Sequence, residues 1–105
     1  MEHKRGDTFD YIAAIPLTKP DGYFEGFVPT CQIRTLKGAV LAEVETAWVD
    51  PALTRLITLK CDADVTETWK IGPAKMDIQF RRASDNYVQS TTTIELEIVE
   101  DITRD

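Results

Sequence analysis

Few residues in this chain are of types that do chemistry. The one histidine, His3, lies in the charged opening MEHKRGDTFD, and any histidine-dependent triad or multi-histidine metal site would have to be built around it. Cys31 and Cys61 are far apart and form no CxxC unit, so neither a zinc-binding nor a thioredoxin-like pattern is present. Two buried, reduced thiols are expected, because free cysteine is among the most buried residue types. The opening segment lacks the apolar stretch of a secretory signal, which favours a reducing compartment over a disulfide. Asp62, Asp64 and Glu67 offer hard oxygen ligands at short spacing, as calcium requires. The EF-hand spacing and its glycine are missing, and a capped helical turn, with Asp64 capping and Glu67 three residues on, explains these acids better. Glycoside hydrolysis needs one carboxyl of raised pKa beside a second in a cleft, and nothing in the pattern buries an acid. No Gly-rich phosphate loop, nucleophile elbow or metalloprotease helix occurs. The expectation is a protein that is not an enzyme and has no catalytic residue, metal or cofactor.

Composition narrows the class further. The chain has 105 residues, 43% hydrophobic and 29% charged, with a formal net charge of −6. That suits one domain over residues 1–105, with 1–6 as a flexible lead. No apolar run reaches the ~18–20 residues of a membrane helix. The acidic balance disfavours nucleic acid, whose phosphates call for clustered Lys and Arg.

The segments that must position any site alternate with the period of a half-buried strand. Ala74, Met76, Ile78 and Phe80 share one face, against Lys75, Asp77, Gln79 and Arg81 on the other. Ile94, Leu96 and Ile98 alternate with Glu95 and Glu97, and Phe27, Cys31 and Ile33 alternate with Thr30, Gln32 and Arg34. Further inward sets are Leu53, Ile57, Leu59 and Cys61; Val40, Ala42 and Val44, between Leu41 and Glu43; and Phe9, Tyr11, Ala13 and Ile15. Turn chemistry separates them: Lys19-Pro20-Asp21-Gly22, Lys37-Gly38, Asp50-Pro51 and Ser84-Asp85-Asn86, the last joining the two clearest strands. Residues 62–69 read as one short helical turn, ended by Gly72-Pro73. Strands with a single apolar face must bring two such faces together. The expected fold is therefore all-β, a six- to seven-stranded antiparallel β-sandwich of Ig-like type. The bracketing of Trp48 by Cys31 and Cys61 only loosely imitates the Ig cysteine pattern.

Surface candidates follow from residue type. Trp48 and Trp69 read first as core or sheet-end packing; if exposed, they are interface anchors, as Tyr23 and Tyr87 are. Arg81 and Arg82 stand near Tyr87 at a hairpin end. Glu95, Glu97, Glu100 and Asp101, with Asp105 beyond, form an acidic stretch that either docks a basic partner or guards a sheet edge. Arg5-Gly6-Asp7 matches an adhesion triplet, but its place at a strand opening favours a structural role.

Taken in order, several stations resemble one family. Arg5-Gly6-Asp7-Thr8-Phe9 is similar to the "RGDTF" opening of small Ig-like β-sandwich proteins encoded in tail and virion-structure regions of tailed phages and prophages. Asp21-Gly22, Phe24-Glu25-Gly26 and Gln32-Ile33-Arg34-Thr35 follow. Leu56-Ile57-Thr58-Leu59, the Asp64–Trp69 turn, Met76-Asp77-Ile78-Gln79 and Asp101-Ile102-Thr103-Arg104 complete the series. Phe24-Glu25-Gly26 stands where the family has Leu-Thr-Gly, and Gly72-Pro73-Ala74-Lys75 lacks its usual aromatic. The resemblance implies a virion structural or assembly protein (tail, baseplate or head accessory) that works through protein–protein contacts. Its partners would be other phage structural proteins, as a homo-oligomer or in a ring, first in the host cytoplasm and then in the virion. Edge strands and the loops at 16–26 and 82–88 would present the contacts. The alternative is a carbohydrate- or host-surface-binding sandwich, which needs its exposed aromatics gathered on one concave face.

Overall fold

Alternation turns directly into ladders whose apolar faces point inward. The computed structural model describes residues 1–91 and 93–100. Among them eight strands occur: β1 (Glu2–Lys4), β2 (Phe9–Ala14), β3 (Phe27–Thr35), β4 (Val40–Trp48), β5 (Leu56–Cys61), β6 (Gly72–Arg82), β7 (Tyr87–Ser90) and β8 (Ile94–Val99). One short helix, α1 (Ala63–Thr66), links β5 to β6. The lateral order is β1-β8-β6-β3-β4-β5-β2, with β7 paired to β6. No described helix is long and apolar enough to cross a membrane.

Two strands organise this sheet. β6 pairs with β3 from Ala74 to Arg82 on one side. On its other side its first half meets β8 and its last residues meet β7. β4 serves two layers, because Val40–Val44 pair with β3 while Glu45–Trp48 pair with β5. The sheet therefore folds over along β4, and its two ends, β1 and β2, approach each other. The result is a mixed, nearly closed, barrel-like sheet around one core.

Aromatic side chains fill both ends of that core. Beyond the start of β6, His3, Phe9, Tyr11 and Trp69 pack with ring centroids 4.6 to 5.9 Å apart. Toward its far end Phe24 stacks on Phe80 at 4.2 Å, and Trp48 stacks on Phe80 at 5.8 Å. Ile33, Ile57, Leu59, Ile78 and Ile98 occupy the space between, all but sealed from water. Cys31 and Cys61 are buried free thiols.

Several expectations need correction. The sheet is not wholly antiparallel, since β1 runs parallel to β8, with His3 opposite Ile98. The N-terminal lead, expected to be flexible, is thus a paired strand. His3 within it is 4% exposed, because its ring fills the seam between β1 and β2. The Asp7 carbonyl can only accept, so Nε2–H donates to it at 3.0 Å, and Nδ1 accepts from the Tyr11 hydroxyl at 3.1 Å. The Arg5-Gly6-Asp7 triplet is the connector across this seam. Gly6 adopts φ 93°, a value that favours glycine, and its N–H donates to Thr66 Oγ1 at 3.1 Å. Thr66 Oγ1–H in turn donates to the Asp7 carbonyl at 2.7 Å.

Other corrections are local. A bulge between Ile33 and Arg34 places Val40 opposite Arg34 and skips Leu41. Val40 is consequently exposed, and Leu41, expected outward, packs against the core. Leu53 is exposed and Thr54 takes the interior place. The Asp50-Pro51 turn forces Thr54 to φ 48°, where its hydroxyl accepts the Phe24 N–H at 3.2 Å. Asp62, not Asp64, holds the helix N-cap position, and it makes no side-chain capping bond. Ser84–Asn86 does not connect β6 directly to β8, because β7 intervenes.

The seam makes His3→Ala costly. Chemical denaturation should register a loss of about 2–4 kcal/mol, from lost packing and two lost hydrogen bonds. Lys4→Ala, on an exposed position of the same strand, should change stability by less than about 0.5 kcal/mol. Burial, helped by Asp77, pushes the Cys31 thiol from 9.0 up to about 12. A folded-state pKa raised in this way contributes stability that is complete below the unfolded value and declines as pH rises through the folded one. Melting temperature should therefore fall as pH rises beyond 9, and Cys31→Ala should flatten that decline.

Candidate interface at the β6–β7 end

Tyr23 is delivered by the turn that follows Pro20. Its neighbour Phe24 is buried in the end cluster, which leaves Tyr23 turned outward and 38% exposed. Tyr87 begins β7 and is 48% exposed. The β6–β7 hairpin is closed by Asn86, at φ 60°, whose N–H donates to the Arg82 carbonyl at 2.8 Å. Asparagine tolerates this left-handed backbone better than most residues. One Asp85 carboxylate oxygen accepts the Tyr87 N–H at 3.2 Å, fixing the turn.

The two tyrosines are joined through Gln89, whose Nε2 donates to both hydroxyls at 3.4 Å. Arg82 lies over the Tyr87 ring at 5.0 Å and the Phe27 ring at 5.4 Å. Its fork grips Asp85 through Nε at 2.9 Å and Nη2 at 2.7 Å. These bonds, with the Tyr87 N–H, pull the Asp85 carboxyl from 3.8 down to about 2. Lys19 Nζ sits 4.6 Å from the Tyr23 ring centre. The Gln89 donor and then Lys19 hold the Tyr23 phenol below its ordinary range. The arrangement is a preformed, exposed group of aromatic, guanidinium and amide side chains. Such a group suits contact with another macromolecule, because tyrosine and arginine are enriched at binding hot spots.

The remaining shortlisted residues divide. Arg81 is adjacent to this cluster but faces the other side of the sheet, between Val28 and Val88 in register. There it lines a shallow depression of about 560 Å³ with Lys75, Asp77 and Gln79. Across that depression Arg34 donates to Gln32, which donates to Glu43. Trp69, an anchor only if exposed, is 1% exposed and belongs to the seam core. Trp48 is half-buried, and its Nε1–H donates to the Phe27 carbonyl at 3.2 Å, so it braces the end cluster. Glu95 and Glu97 are exposed on β8, at the opposite end of β6 from the tyrosines. Glu100 pairs with Arg5 at 3.8 Å. Asp101, like Asp105, lies outside the described residues. Among the described residues no group of three or more His, Cys, Asp or Glu is placed to hold a metal ion.

Sequence reasoning missed Gln89 and Lys19, the residues that tie the tyrosines in place. The signal for Gln89 was available: Tyr87-Val88-Gln89-Ser90 is a short strand-like run directly after a turn. Also missed were exposed apolar residues on the outer side of β2 and β5, Ile12 and Leu56, with Val49 just beyond β4, its N–H donating to the Leu56 carbonyl. Ile12 shares its outer face with Asp10 and Ala14, and Leu56 shares its own with Thr58 and Lys60. No protein-family model matches the chain, and no curated protein matches its sequence.

Replacing Arg82 with Lys keeps the charge but removes the fork. The Asp85 carboxyl, followed by NMR titration, should then rise from about 2 toward its ordinary 3.8, while the fold remains intact.

Proposed function

We propose that the chain is a structural or assembly component of a tailed-phage or prophage particle, a tail, baseplate or head accessory. It acts through protein–protein contacts and not through catalysis. The observation that carries the contact reading is the Tyr23–Gln89–Tyr87 group with Arg82 locked over it, an exposed surface already held in one conformation. Preordering of this kind lowers the entropy lost on docking. The phage assignment, and the Ig-like affiliation with it, rest on the ordered sequence resemblance from Arg5-Gly6-Asp7-Thr8-Phe9 to Asp101-Ile102-Thr103-Arg104. Its partners are then other particle proteins, met in the host cytoplasm during assembly and retained in the virion.

The carbohydrate-binding alternative is less well supported. Of its four aromatics, Trp69 is sealed in the core and Trp48 braces Phe80, so no single face collects them.

Mass spectrometry of purified particles and of the matching lysate tests the proposal. The chain should copurify with particles, and its presence only in the lysate would overturn virion membership. A Tyr23→Ala, Tyr87→Ala double variant should melt within a few degrees of the parent yet enter particles at least about tenfold less, the equivalent of ~1.4 kcal/mol of lost contact energy.

A further inference from the structure

Among the described residues no strand covers the outer edge of β7. Among the described residues β7 pairs only with β6, with Gln79 opposite Ser90 and Arg82 opposite Tyr87. Just beyond it, the Thr91 N–H donates to the Ile78 carbonyl at 2.9 Å. Hydrogen-bonded pairs alternate along an antiparallel ladder. Gln89, like Thr91, therefore turns its N–H and C=O toward β6, while Val88 and Ser90 turn theirs away from the sheet.

Sheet edges are normally guarded by charge, proline or a covering strand. β1 covers the neighbouring β8 edge, with its residues Glu2–Lys4 opposite Glu97–Val99, and stops short of β7. At the other end of the sheet, β2 has β1 across the seam, joined to it through His3 and Tyr11, and carries the exposed charge of Asp10. β7 has none of these guards: Tyr87, Val88, Gln89 and Ser90 are uncharged, contain no proline and face no described strand on that side.

We propose that β7 pairs antiparallel with β7 of a second copy about a two-fold axis through Gln89, joining two sheets into one. This rests on the contact reading above and names its partner. In that register Val88 of each copy lies opposite Ser90 of the other, and both outward-facing residues exchange N–H···O=C bonds in both directions, an isologous match. No charge opposes a like charge at the junction. The arginines of β6 lie one strand back from each edge, so β6 and its copy are three strand spacings, about 14 Å, apart. That exceeds the ~8 Å screening length of physiological salt. Arg82 is in any case neutralised by Asp85. So short an edge stays below the roughly 1,200 Å² of a stable interface, so pairing is weak in dilute solution and grows where copies are held close together.

NMR of the full chain, from low micromolar to about millimolar concentration, tests this beside sedimentation equilibrium. The Val88 and Ser90 amide protons should shift and gain exchange protection with concentration, in step with dimer formation. Val88→Pro removes an outward donor while leaving the β6 ladder intact, and Val88→Lys adds a guarding charge without any backbone change. Either should weaken association at least tenfold with circular dichroism and melting unchanged. A wild type that stays monomeric throughout would overturn the pairing, as would a dimer whose Val88 and Ser90 amides do not move. So would an edge that answers only to an added foreign strand peptide. Particle membership is read separately by mass spectrometry: a monomer found in particles refutes the pairing alone, and a self-pairing chain absent from particles refutes the virion reading alone.

Discussion

The architecture depends on β4 belonging to two layers at once. Strands with one apolar face need an opposing apolar face, and this chain provides it by folding its sheet over instead of stacking two separate sheets. Val44 is the last residue of β4 opposite β3 and Glu45 the first opposite β5, so the fold line falls between adjacent residues. The bulge at Ile33/Arg34 lies in the same β3–β4 pairing, and bulges increase local twist. With the layers folded over in this way, β1 and β2 must meet, and His3 fills the seam with a ring that packs on three others and spends both nitrogens on hydrogen bonds.

Much of the fold was legible because alternation and burial follow one rule. The run Ala74, Met76, Ile78 and Phe80 is buried throughout, as its period requires. Legibility failed where a nonlocal partner decides. Nothing near His3 in the chain announces that β8, at the far end of the sequence, pairs with β1. The inward role of Leu41 depends on a bulge whose cause lies in the pairing partner. Leu53 follows the apolar rule by type, yet the Asp50-Pro51 turn gives the interior place to Thr54, whose hydroxyl meets the Phe24 amide.

The candidate interface was half legible for the same reason. Tyr23, Tyr87 and Arg82 were identified from their chemistry, but their union depends on Gln89 and on the 16–26 loop folding back toward the hairpin. Arg55 holds that loop, donating to the Lys19 carbonyl at 2.6 Å and pairing with Asp21 at 3.3 Å. Trp69 shows the other outcome. A large aromatic in a polar stretch serves either the core or an interface, and here it closes the end of the core that the short helix α1 leads into. Residue type told what each side chain was capable of, and topology decided which of them reached the surface.

The parallel β1–β8 pair has a kinetic consequence. Glu2 of β1 pairs with Glu97 of β8, far along the chain, so β1 cannot dock until β8 has been made. Pairings of such long sequence separation pay loop-closure entropy early and place a fold among the slower small domains, on the order of milliseconds to seconds. Until β8 arrives, Phe9 and Trp69 lack the lid that β1 provides. The nascent chain therefore carries an exposed aromatic cluster until β8 is made, and that interval is when it has most need of a chaperone.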